Sequence, residues 1–162
     1  VAGVSKTYSM TGWRIGWTIS PEPLAKAMGN LQSQETSNPC SVSQYAALAA
    51  ITGPQECVAE MSKEFQKRRD LVAGRLTALP GVKLPEIGGA FYAFFDIAEH
   101  LAAGKNGITT TLQWCEAMLE KEHVALVAGS AFGAEGNVRM SFAASEEKLN
   151  DGLDRIERFL KL

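Results

Sequence analysis

Residues 3–16 read GVSKTYSMTGWRIG. One lysine, Lys6, and one arginine, Arg14, stand there among small, apolar and aromatic residues. Lysines ordinarily sit on solvated surfaces with other charges around them. Two isolated cations in such a stretch therefore call for a chemical reason, or else both simply face solvent.

The rest of the chain narrows the choice. Its 162 residues suffice for a domain with a real core, and 46% hydrophobic and 21% charged residues are ordinary globular values. The net charge of −2, with no basic run of five or more, gives no footprint for nucleic acid. The apolar runs are too short to span a bilayer, and no signal-peptide pattern opens the sequence. Cys40, Cys57 and Cys115 lack metal-ligand spacing and read as free thiols of a reducing cytoplasm. His100 and His123 lie far from any motif and read as surface or edge residues. No metal site is expected. The opening VAGVSK, with no Met and a motif at once, suggests the C-terminal part of a longer protein.

Residues 1–19 read as a strand, a loop and a second strand RIGWTIS. Ser20 is an N-cap candidate for the next helix, with Leu24, Ala27, Met28 and Leu31 on one apolar face. ETSNPC is a loop, and SVSQYAALAAIT a helix ended by Gly53. A long helix is predicted over 55–79, with a charged middle KEFQKRRD that reads as a solvated face. VKLPEIGGAFYAFFDI holds two short strands about a Pro/Gly turn. A helix over 109–122 should turn Leu112, Cys115, Met118 and Leu119 inward. HVALVAG and NVRMSFA are strands about the glycine-rich SAFGAEG, and Ser145 caps a last helix striped by Leu149, Leu153, Ile156 and Leu160. The second half thus reads β-β-α-β-β-α, a small sheet with helices on one face.

No GxGxxG or phosphate-binding P-loop occurs, and GSAFG at 129–133 is not GxSxG and has no histidine nearby in the sequence. That returns the question to Lys6 and Arg14. A desolvated amine is more readily neutral, and a neutral amine is a nucleophile or a base. A fixed guanidinium donates two hydrogen bonds to two oxygens of a phosphate. A lysine for an aldehyde and an arginine for a phosphate together describe a site for pyridoxal 5′-phosphate.

The stretch resembles the lysine signature of the class I aminotransferases, fold-type I pyridoxal-phosphate enzymes. Gly3, Ser5, Lys6, Ser9, Met10, Gly12, Arg14, Ile15 and Gly16 all fit its pattern, and MTGWRIG is similar to the bacterial aspartate and aromatic branch. TSNPCSVSQYAALAAI, GGAFYAFFDI, VALVAGSAFG (with Ala128 where Pro is usual) and NVRMSFAAS resemble later segments of the family. The resemblance implies an α/β fold: residues 1–57 as the tail of a large cofactor domain, 58–79 as a connecting helix, and 80–162 as a small α+β domain. It implies that Lys6 carries the cofactor as a Schiff base and moves the substrate proton, that Arg14 holds the phosphate, and that Arg139 holds the substrate α-carboxylate. Phe91 either lines the substrate pocket or packs in the core. Asn38 lies in a loop that in the family approaches the partner subunit's site, which supports a homodimer by analogy.

The implied activity is amino transfer from aspartate or a related amino acid to a 2-oxo acid such as 2-oxoglutarate, in the cytoplasm. Other fold-type I enzymes, of the C–S lyase or aminocyclopropane-carboxylate synthase type, share the signature. So does the aminotransferase-like sensor domain of some transcriptional regulators. Two positions depart from the family. Gly3 stands where some members have a phosphate-binding serine, and Ser33 stands where one branch has an arginine for a distal carboxylate. The family's ring-stacking aromatic and pyridine-pairing aspartate precede the lysine, so the isolated chain is expected to be inactive.

Overall fold

The computed structural model describes residues 1–161 and divides into two units, Val1–Ser62 and Lys63–Leu162. In the first, β1 (Ala2–Gly3) runs directly into the single-turn helix α1 (Val4–Thr7). A 3-10 turn, Thr11–Trp13, leads back to β2 (Gly16–Trp17). The two strands pair antiparallel, Ala2 opposite Trp17 and Gly3 opposite Gly16. Lys6 is therefore on a helical turn within the loop that joins the two strands, and the second strand is shorter than RIGWTIS. The pairing is close at Gly16, where a Cβ would lie 2.8 Å from the Ala2 carbonyl oxygen. Arg14, just ahead of it, is left-handed at φ 51°, which ends any regular extension.

Helix α2 spans Glu22–Glu35, and its N-cap is Pro21 rather than Ser20. Pro21 and Pro23 carry no N–H, so the first helical bonds run from Leu24 and Ala25 to the Pro21 carbonyl, both at 3.0 Å. Ser20 sits one residue too early to cap, and its buried Oγ has no hydrogen-bond partner among the described residues. The apolar face of α2 exists but buries nothing: Leu24 is 53% and Leu31 61% exposed. Helix α3 (Ser41–Thr52) ends at Gly53 as expected. It buries Ser43 and Ala47 while Tyr45, Leu48 and Ile51 stay exposed. Helix α4 (Glu56–Thr77) contains the division between the units.

The second unit holds the main core. Its sheet has the order β3-β5-β4, from β3 (Tyr92–Asp96), β4 (Val127–Ala128) and β5 (Asn137–Ser141), with both pairings antiparallel. The expected strand before Gly88 reduces to one bridge, Lys83 to Asp96, because Pro85 cannot donate to a ladder. Helix α5 (Ala98–Ala102) follows β3, then α6 (Thr111–Glu122) and, after the sheet, α7 (Glu146–Lys161). Ala93, Phe95, Val138 and Met140 point to one side of the sheet, into a core shared with Val72 and Leu76 of α4, Trp114 and Met118 of α6, and Leu153 and Ile156 of α7. Alternation sends Tyr92, Phe94 and Arg139 to the other side.

Helix α6 starts with a capping box between Thr110 and Gln113. Its buried stripe is Thr111, Trp114, Cys115, Met118 and Glu122. Leu112 and Leu119, expected inward, are 55% and 53% exposed. The indole of Trp114 takes the core position, edge-on to Phe159 at 5.7 Å, and so rotates the buried stripe away from both leucines. On α7 the stripe holds at Leu149, Leu153 and Ile156 but closes on Phe159, with Leu160 only partly buried. Ser145 accepts from the Lys148 N–H at 3.4 Å, as a cap should. His100 is half-buried, with Nε2 2.8 Å from the Pro80 carbonyl oxygen, and His123 is an exposed left-handed cap of α6.

Candidate active site

Lys6 and Arg14 belong to one loop, closed at its base by the Gly3–Gly16 pair. No acidic residue occurs from Val1 to Pro21, so the loop carries two cations and no internal counter-charge. Val4, fully buried, anchors the turn that carries Lys6. Both cations are exposed in this chain, against the expectation of an apolar surrounding for Lys6. Arg14 makes no ion pair among the described residues; its Nη1 donates to the Thr11 carbonyl at 3.3 Å, a bond that orients the side chain without neutralising it.

The loop is tied down from outside. Tyr8 donates its hydroxyl to Gln55 Oε1 at 2.9 Å. Gln55 in turn donates through Nε2 to the Gly53 and Ala50 carbonyls at 2.7 and 3.0 Å, which fixes it to the end of α3. Ser9, left-handed at φ 54°, places its hydroxyl 3.3 Å from Met61 Sδ. These anchors were missed from sequence because they join distant positions. Asn38 lies in the exposed α2–α3 turn, beside Ser37 at φ 63°. A Cβ at Gly3 would stand 3.1 Å from the Ile15 carbonyl oxygen, so glycine suits this pairing better than the serine of other family members. Ser33 donates to the Asn30 carbonyl at 2.7 Å and brings no charge.

Arg139 and Phe91 lie in the second unit. Arg139 pairs with Phe94 on one side and Val127 on the other. Its guanidinium carbon is 4.5 Å from the ring centre of Tyr92 and 4.5 Å from that of Phe132. No acid reaches it among the described residues: ring faces hold the charge, and its in-plane N–H groups are not spent on a carboxylate of the fold. Phe91 is half-buried, 4.5 Å from the Tyr92 ring and 5.9 Å from Phe65, and its carbonyl accepts from the Phe142 N–H at 2.9 Å. Tyr92 and Phe132 escaped the sequence reading; the only signal was that Tyr92 shares a strand face with Phe94. Among the described residues, no group of three His, Cys, Asp or Glu is placed to hold a metal, and no helix is long and apolar enough to cross a membrane.

The first unit thus presents an amine and a guanidinium on one closed segment, and the second unit, by itself, presents a guanidinium between two rings. The chain belongs to the aminotransferase class I and II family, whose model matches residues 1–156. It is 48% identical over 160 residues to an aspartate/prephenate aminotransferase of Cereibacter sphaeroides, covering 97% of this chain and 40% of that protein. It is 45% identical over 161 residues to an aspartate aminotransferase of Geobacillus stearothermophilus, covering 99% of this chain and 40% of that one. Among solved structures, the aspartate aminotransferase of Rhizobium meliloti matches with a TM-score of 0.91 at 45% identity, over 98% of this chain and 40% of that chain. The aromatic aminotransferase of Pyrococcus horikoshii matches with a TM-score of 0.89 at 39% identity, over 98% and 42% respectively. The chain thus spans about 40% of the length of the relatives it matches.

Proposed function

We propose that this chain supplies the lysine, the phosphate anchor and the substrate-carboxylate anchor of a pyridoxal-phosphate-dependent aminotransferase that acts on aspartate or a related amino acid and a 2-oxo acid. The observation that carries the reading is the closed loop bearing Lys6 and Arg14 without any acid, in a chain of this family. The donor set fits the cofactor: a primary amine matches an aldehyde, and a guanidinium not paired to an acid matches a phosphate. When bound, pyridoxal 5′-phosphate supplies an electron sink for the bonds at the substrate's Cα. Lys6 is the covalent attachment point and then the base and acid that takes and returns the Cα proton. Arg14 fixes the phosphate, and Arg139 fixes the plane of the α-carboxylate, so that Cα is held in place for proton transfer.

Residues 1–57 are assigned to the cofactor domain, 58–79 to the connecting helix and 80–162 to the small domain. Asn38 and Phe91 are assigned to the rim of the substrate site. The working protein is read as a cytoplasmic homodimer of the relatives' length, with the remaining cofactor contacts supplied outside these residues. Because Ser33 is neutral, a distal substrate carboxylate must find its cation elsewhere. The test is amino transfer by the full-length protein from aspartate to 2-oxoglutarate, followed by glutamate formation. Lyase products formed with no 2-oxo acid present would overturn the proposal.

A further inference from the structure

Phe132 is half-exposed, at 50%, yet it stands on a firmly built turn. An exposed phenylalanine costs solvation and gains nothing unless it contacts something. The turn, Gly129–Phe132, is closed by the Ala134 N–H on the Gly129 carbonyl at 3.0 Å and the Asn137 N–H on the Ala134 carbonyl at 3.2 Å. A Cβ at Gly129 would collide with the carbonyls of Ala134 and Asn137, so only glycine permits the turn. Glu135 then fastens the segment to the start of α6, accepting from Thr111 N–H at 2.7 Å and Thr111 Oγ at 2.9 Å. What this scaffold delivers is the ring of Phe132, edge-on to Phe94 at 6.0 Å and 90°, and over the Arg139 guanidinium at 4.5 Å. Tyr92 lies at the same distance from that guanidinium.

Resting on the assignment of Arg139 to the α-carboxylate, we infer that Tyr92 and Phe132 are positioning residues: an aromatic clamp that sets the Arg139 guanidinium for a planar carboxylate. Three features argue for it. Ring faces attract a cation without using its N–H groups, so the bidentate edge stays available to a substrate. An acidic partner would instead compete with the substrate for that edge. A long arginine side chain otherwise loses rotamer freedom on binding, and the clamp removes that loss beforehand. Because donor and acceptor share the α-carboxylate, the clamp serves both half-reactions equally.

The test uses the full-length enzyme carrying Phe132→Leu, Phe132→Tyr or Arg139→Ala. Binding of 2-oxoglutarate is read by titration calorimetry without the amino donor, beside KM and kcat in turnover. The expected result is weaker 2-oxoglutarate binding in Phe132→Leu by roughly tenfold. KM for both substrates should rise by a similar factor, with a much smaller change in kcat. Phe132→Tyr, which keeps the ring, should bind as the parent does. Parent-like binding by Phe132→Leu, with Arg139→Ala impaired, would overturn the clamp alone, since bulk without a ring face would then suffice. Parent-like binding by Arg139→Ala would overturn the carboxylate assignment and the clamp with it.

Discussion

At the scale of single residues, the account rests on where charge is left uncompensated. Among the described residues, Arg14 has one backbone acceptor and no acid, and Arg139 has two ring faces and no acid. Elsewhere arginines are paired, as Arg75 is to Asp154 at 2.6 Å and Arg155 to Asp151 at 3.0 Å. Arg14→Ala in the full-length protein should weaken cofactor binding by roughly tenfold to a hundredfold, the loss of one or two charge-assisted hydrogen bonds. Release of the cofactor chromophore on dialysis measures it; unchanged retention would remove Arg14 from the phosphate site. That Lys6 and Arg14 share one connection between paired strands was legible in sequence because of their short spacing. The ring partners of Arg139 were not, because Phe132 reaches it only through the fold of the Gly129 turn. The helical setting of Lys6 was also hidden, since a four-residue turn has no periodicity to read.

At the scale of elements, amphipathic period located α2, α4, α6 and α7, and the Gly53 stop marked the end of α3, but period misjudged which way α6 faces. Periodicity gives a stripe; it does not rank Trp114 against Leu112 or Leu119 for the core, and volume decided it. The same rotation buries Glu122 at the end of α6, where Arg158 of α7 pairs with its carboxylate and Arg155 donates to its carbonyl at 2.8 Å. The hydrogen bond from Arg158, ahead of the guanidinium charge, holds the Glu122 carboxyl below the ordinary glutamate value of 4.5. A carboxyl depressed on folding contributes stability that is present above that ordinary value and is lost as pH falls through the folded one. Glu122→Gln should therefore melt lower than the parent at neutral pH, with the gap closing as pH falls below the ordinary glutamate value and through the depressed folded one. Melting curves across that range check it; a gap independent of pH would mean the pair does not couple α6 to α7. The weak strands were the least legible elements, since a two-residue ladder such as β4 needs its partner β5 to exist at all.

At the scale of the whole molecule, two units with different degrees of burial stand in one chain. The second has a closed core running from Val72 to Phe159. The first leaves Leu24, Leu31, Val42, Tyr45, Leu48 and Ile51 exposed. So much exposed apolar side chain is more than a solitary soluble unit ordinarily leaves uncovered. It accords with a chain spanning about 40% of the relatives' length. The family was legible from sequence because its signature is local; which apolar residues of the first unit stay exposed was not, because burial is a property of what packs against a segment. The central claim is that Lys6 bears the cofactor, and borohydride reduction of the cofactor-loaded full-length protein tests it most directly. Peptide mapping should then find the reduced cofactor on Lys6. A label on any other lysine, or none with cofactor bound, would contradict it.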